Sequence, residues 1–246
     1  YRNRKHAEDF LQALQEAQIA TSQTGLTIFA EEDATETAFS QGDYTYGTVL
    51  CVNEESMAAR LLLQKAPLYE TMCFDETGKA TEDFHALVIG SGKVGQAVMK
   101  QIVMNGQFCG SSFRMTVFDP VFDAVTGRFR YECDQLFRHF HVDIHNADAR
   151  SREMFAFLSD TWQRLHYIVV CTGSDSSNRE VCRQLSHFLA MRGSDLPLYI
   201  CSTRGIQKIT QTDVTDWDIF TPQVLCTDEM DRMAMQLNHA YCGNQK

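Results

Sequence analysis

Three glycines at positions 90, 92 and 95, within the stretch ALVIGSGKVGQAV, stand in a G-x-G-x-x-G frame. The chemistry that this spacing serves is phosphate binding. Gly90 makes a tight turn out of a strand, Gly92 lets the backbone approach a pyrophosphate, and Gly95 lets the next helix pack close to the sheet. Ser91, Lys93 and Val94 complete the loop and belong to the same candidate site. The helix that follows directs its free amide hydrogens and positive dipole end at the phosphates. Asp119 ends the stretch RMTVFD, twenty-four residues after Gly95, close to the spacing at which a carboxylate accepts from a ribose hydroxyl. The alternative at Asp119-Pro120 is a strand-ending turn. Asp148, in NADARS, either faces the adenine end of a nucleotide or caps a helix that begins near Ser151. In YIVVCTGSDSSN, Thr172 and Gly173 leave the carboxyl end of a buried strand and offer contacts across the crevice from the glycines, and the polar side chains of Ser174 to Asn178 either face a ligand too or, at Ser177 or Asn178, cap the next helix.

No catalytic constellation accompanies these residues. A hydride-transfer enzyme needs a proton donor where the nicotinamide ends. The one Y-x-x-x-K pair, Tyr1 to Lys5, lies upstream of the glycines, and neither His166, before a strand, nor His187, on a helix, projects from a strand's carboxyl end. Cys171 does occupy such an end, but no histidine nearby in sequence activates it, so it reads as a buried thiol. The run HFHVDIH puts His139, His141, Asp143 and His145 on one side of a strand. That spacing could give a transition metal two ligands, or belong to an edge strand whose Phe140, Val142 and Ile144 pack inward. The edge-strand account is the simpler, and no metal is expected.

The elements that must position the candidate site follow from periodicity. From Phe84 onward, apolar runs alternate with helix-period segments: strand 85–90, helix 93–105, strands 114–119 and 140–145, helix 151–164, strand 166–172, helix 177–191, strand 197–202. Strands separated by helices need crossovers, which is the signature of a Rossmann-like, doubly wound parallel α/β sheet. Residues 1–82 form an additional N-terminal α/β segment, with a helix near 6–20, short strands in LTIFAEED and TVLCVNEE, and the helix SMAARLLLQKA before Pro67. Residues 83–205 are the nucleotide-binding domain, and 206–246 a C-terminal extension whose Met230, Met233, Ala234, Leu237 and Tyr241 recur at helical spacing.

Composition narrows the function class. The 246 residues carry 32 acidic against 22 basic side chains, a formal charge of -10, and no Lys/Arg block that could track a phosphate backbone, which sets nucleic acid aside as a partner. Nine scattered cysteines, never in a C-x-x-C pair, read as reduced intracellular thiols. No apolar run approaches the roughly 18 residues that cross a bilayer, and no signal peptide opens the chain. The basic start YRNRKH suits a helix start as well as the cytoplasmic flank of a membrane helix. The expected place is the cytoplasm, or the cytoplasmic part of a membrane-associated protein.

Together, ALVIGSGKVGQAV, VFDP, NADARS, VVCTGSDSSN and LYICSTR resemble the TrkA-N domain, the nucleotide-binding half of RCK regulators of potassium channels and transporters. The resemblance covers about residues 84–205. It implies a regulatory domain that binds NAD or NADH, or alternatively ATP or ADP, assembles with like subunits, and acts on an ion channel or transporter module. It also places Gly90, Gly92, Gly95, Asp119, Asp148 and Thr172 on the family's ligand-contacting positions. The chain departs from the family in a longer link, GQFCGSSF, between the first helix and second strand, and in lacking an evident second ligand-binding subdomain after residue 205. CTDEMDRMAMQLNHAYC reads as an amphipathic packing helix and also resembles the start of a ryanodine-receptor-type module. The alternative function is an NAD-dependent oxidoreductase whose substrate domain lies elsewhere in the chain.

Overall fold

Residues Phe84–Ile89 (β3) are buried at every position, which in a strand means that both faces are covered. The computed structural model describes residues 48–219, the segment 25–29, helical positions 9, 10, 12, 13 and 16, and a turn at 17. The expected C-terminal helix, the resemblance around 226–242 and the basic start at 1–6 lie outside the described residues.

β3 occupies the middle of a seven-stranded sheet of order β5-β4-β3-β6-β7-β8-β9. Its parallel neighbours are Phe113–Phe118 (β4) on one side and Tyr167–Val170 (β6) on the other. Beyond them run His141–His145 (β5), at one edge, and Leu198–Ser202 (β7), both also parallel. The sheet then continues past residue 205 as an antiparallel meander, Gly205–Ile209 (β8) and Val214–Trp217 (β9). The expected mixed α/β, Rossmann-like class is therefore the observed one, with an antiparallel pair added. Gly25–Phe29 (β1) and Thr48–Val52 (β2) form a separate parallel pair.

Alternation along β3 divides the core in two. Phe84, Ala86 and Val88 face one layer, with Glu54–Lys65 (α1), Lys93–Asn105 (α2) and three short helices between β4 and β5, Phe122–Val125 (α3), Gly127–Glu132 (α4) and Asp134–His139 (α5). Leu87 and Ile89 face the other layer, built by Arg152–Thr161 (α6) and Asp175–Ala190 (α7). Reversal of direction at the β3/β6 boundary is what puts successive crossovers on opposite faces.

Several boundaries differ from the periodicity. The segment 122–139 shows no long helical period because it is three short turns of helix anchored by Phe122, Phe129 and Leu136. His139 belongs to α5 rather than to the strand. α7 starts at Asp175, two residues before the expected start, because Ser174 accepts from the Ser177 amide and caps it. α1, assigned above to the N-terminal segment, packs into the same core as β3, and the Tyr167 hydroxyl donates to the Ala66 carbonyl at 2.9 Å just beyond its end. Among the described residues no helix is long and apolar enough to cross a membrane.

Candidate functional site

The loops leaving β3 and β6 meet at the carboxyl edge of the sheet, where the strand order reverses. Contact between them is tight. Gly90 has φ +99°, a region that L side chains rarely adopt, and a Cβ there would lie 2.4 Å from the Cys171 carbonyl oxygen. A Cβ on Gly95 would lie 2.1 Å from the Gly90 carbonyl oxygen, so only glycine lets α2 start this close to the turn. These two glycines are required by the fold itself.

Gly92 is different. Its φ of -62° and ψ of -175° suit any residue, and a Cβ would meet nothing within 4 Å. Internal packing gives no reason for a glycine there. Gly92 is the N-cap of α2, which has no side-chain cap and no acidic residue in its first turn. The other described helices of ten residues or more are finished differently. Asn53, Ser151 and Ser174 cap α1, α6 and α7, each with Asp or Glu in the first turn. At α2 the first-turn residue is instead exposed Lys93, a cation worth about 0.3–1 kcal/mol against the helix dipole unless an anion is nearby. Val94, half-buried, packs against the core and anchors that turn. The residues around Gly92 thus fit a phosphate, because amide donors, a dipole end and open space coincide there.

Asp119 stands at the end of β4, 8% exposed. Its Oδ2 accepts from the Ser91 amide at 2.7 Å and from the Ser91 hydroxyl at 2.8 Å. Its Oδ1 accepts from the Val121 amide at 2.8 Å, so the strand-ending turn is also real. Ser91 is fully buried, and its side chain faces Asp119 rather than the crevice. Gln96 adds a third tie, its Nε2 donating to the Ser91 carbonyl at 2.9 Å.

The opposite loop is held in the same manner. Asn178, 1% exposed, uses Oδ1 to accept from both the amide and the hydroxyl of Thr172, each at 2.7 Å. Asn178 therefore fastens the loop after β6 instead of capping α7, and Ser177 supplies the capped amide rather than the cap. Gly173 takes φ +84° with open space around it, leaving that turn exposed. Asp148 sits apart from this group, beyond β5. Arg150 hydrogen-bonds both of its oxygens at 2.8 Å and thereby holds its carboxyl down at about 2. It does not cap α6; Ser151 does. Arg150 also reaches Glu180 on α7 at 3.7 Å, a link across to the β6 loop.

Of the residues singled out by sequence, the fold brings together Gly90, Ser91, Gly92, Lys93, Val94, Gly95, Asp119, Thr172 and Gly173, and leaves Asp148 at the rim. Asn178, Gln96 and Arg150 complete the arrangement and were not singled out as loop ties. A polar residue inside an otherwise apolar helical face, as in VGQAV, is the one signal that marks Gln96. The Cys171 thiol donates to the Gly90 carbonyl at 3.3 Å, and burial pushes its pKa well up, which keeps it a thiol rather than a thiolate nucleophile. At the sheet edge, His141 Nε2 lies 3.0 Å from Asp143 Oδ1, while His145 stacks on Phe118 and pairs with Glu153 at 2.7 Å. Val142 and Ile144 pack on the core, and no metal-binding group of three occurs among the described residues. Compared with models of known families and with curated proteins, the chain matches none.

Proposed function

We propose that this chain is a nucleotide-binding regulatory domain that takes NAD(H) or an adenine nucleotide at the β3/β6 boundary. The observation that carries the reading is Gly92: an uncapped helix start, a first-turn lysine and vacant space where every other residue type would place a side chain. In an open parallel sheet this is where ligands bind, outside the carboxyl ends at the switch point. The amides of the first turn of α2 would hold the phosphates, Asp119 would lie toward the sugar, and the Thr172–Gly173 turn would close the far side. The nucleotide would supply negative charge to the α2 terminus.

The regulatory role and the partner, a potassium channel or transporter module with like subunits in the cytoplasm, rest on the motif resemblance described above. Physically, a ligand regulates only by binding two arrangements unequally. The two loops that it would bridge are each tied to a buried side chain, so a change at either reaches α2 or α7 directly. Titration calorimetry of the chain with NAD, NADH, ATP and ADP tests the reading. Binding that Gly92→Val removes supports it; absence of any binding overturns it.

A further inference from the structure

We propose that the groove between α7 and the β8–β9 meander is the docking site for this chain's own C-terminal segment, residues 227–241. The inference goes beyond the nucleotide reading and does not depend on it.

Strand register shows which face of the meander is open. Leu198 and Ile200 of β7 point into the α6/α7 layer, and their partners on β8 are Ile209 and Gln207. Those two in turn face Val214 and Asp216 on β9. All four lie on the α6/α7 side, where Val214 is 53% exposed and Asp216 is exposed as well. The opposite face is closed: Ile206 and Ile219 are fully buried there, with Trp217 packed beside them. Within residues 84–219, α7 is the last helix on the open side. Two hollows of about 200 and 490 Å³ share Arg179 and follow that helix, the first at its Asp175 end and the second toward Ala190. Exposed Arg179, Arg183 and His187 stand along the groove at i, i+4 and i+8, and Ile209 lines it as well. Neither arginine has a carboxylate partner among the described residues. Like charges at that spacing destabilise a helix, so an acidic occupant relieves the row.

The sequence TDEMDRMAMQLNHAY, residues 227–241, is complementary in charge and in apolar pattern. Met230, Met233, Ala234, Leu237 and Tyr241 recur at helical spacing, and Asp228, Glu229 and Asp231 come first. Direction fits too. β9 pairs antiparallel to β8, and β8 to β7, so β9 ends at the carboxyl edge of the sheet, where α7 begins. A segment that turns there and runs down the groove meets Arg179 and Arg183 with its acidic end, and Ile209 and Val214 with its apolar stripe. As helices, the 16 residues of α7 and the 15 of 227–241 both measure about 22–24 Å. Ile219 packs in the other layer, so residues 220–226 must turn over the sheet edge, and seven residues reach up to about 23 Å when extended.

The test is hydrogen exchange of the 246-residue chain, read by mass spectrometry. Amides of 227–241 are expected to exchange at least about tenfold more slowly than in a free peptide of that sequence. Arg179→Glu combined with Arg183→Glu is expected to remove most of that protection and leave β3 and β6 unchanged. A charge-conserving chain, Arg179→Lys with Arg183→Lys, gives a second readout: carbodiimide should couple position 179 or 183 to Asp228, Glu229 or Asp231 within one molecule. If charge reversal also exposes β3, the coupling result decides. Free-peptide exchange rates in the native chain overturn the inference. Protection that survives charge reversal, with no coupling, places the segment elsewhere and overturns it too. Coupling only between molecules assigns the groove to a second copy and has the same consequence.

Discussion

Asp119 Oδ2 accepts both the amide and the hydroxyl of Ser91, a residue twenty-eight positions earlier, and so joins the carboxyl ends of β3 and β4 at the point where the glycine loop begins. Asn178 does the same for Thr172 across the crevice. Both loops are shaped before any ligand arrives, which lowers the ordering cost of binding.

The first tie predicts the outcome of Asp119→Asn. An amide offers one acceptor oxygen, and its NH2 must then face a donor, either Ser91 or the Val121 amide. The Asn turns its NH2 toward the Val121 amide, on the half-exposed side, which loses its acceptor at a cost of about 1 kcal/mol. A urea denaturation midpoint should fall accordingly, and an unchanged midpoint would show that the clamp is not stabilising.

The glycines should separate into two classes. Gly90→Val and Gly95→Val place atoms inside van der Waals contact with backbone carbonyls, and each should lose at least about 2 kcal/mol of stability. Gly92→Val meets open space at an ordinary φ, so it should lose only the N-cap preference for glycine over valine, about 1 kcal/mol or less. Its nucleotide affinity should fall by about tenfold or more, since the valine fills the approach to the α2 amides. Native-like affinity in Gly92→Val would place the ligand elsewhere.

Choice between NAD and NADP follows from charge rather than from hydrogen bonding. A 2'-phosphate brought near Asp119 meets a like charge, and no arginine directly follows it in sequence; Arg128 pairs with Glu132 at 2.7 Å. NADP should bind about tenfold or more weakly than NAD at low salt, with the gap narrowing as salt screens it. Equal affinities measured at low ionic strength would remove Asp119 from the sugar end of the site.

Sensing and turnover make opposite predictions for the purified chain. At a ligand concentration about one hundred times Kd, one-site binding adds about 2.7 kcal/mol of stability, which a thermal-shift assay detects. NADH should remain unoxidised across a panel of carbonyl compounds, because Cys171 is a buried thiol and Thr172 is tied to Asn178. Substrate-dependent NADH consumption that Gly92→Val abolishes would establish the oxidoreductase instead.

His85 gives the fold a defined acid sensitivity. Burial, with the residue 5% exposed and Nε2 2.8 Å from the Thr116 hydroxyl, pushes its pKa down to about 4. The folded chain therefore holds fewer protons on this ring than the unfolded chain between about pH 6.5 and 4. Its neutral form contributes fully above that window, and stability is lost as pH falls through it, by up to about 3 kcal/mol. His85→Gln should flatten the slope of denaturation midpoint against pH in this range; a slope equal to the native one would assign the loss to other groups.

What the sequence determined by itself is local. The apolar run, the G-x-G-x-x-G frame and the helical period of 84–105 are legible because strand pleat, turn sterics and helix pitch act within about ten residues of chain. The same holds for the alternation that marks a parallel sheet and for the inward-facing Val142 and Ile144 of β5. Only the tertiary structure decided that α1 joins the central core, that β8 and β9 extend the sheet, and that Asp119 and Asn178 spend their oxygens on Ser91 and Thr172. Asp119 as ribose acceptor and Asp119 as loop clamp have the same local sequence. They differ in which donor β3 and β4 bring to the carboxylate, and that depends on strand neighbours and register, through pairings such as Ile89 with Phe118, which no run of adjacent residues specifies.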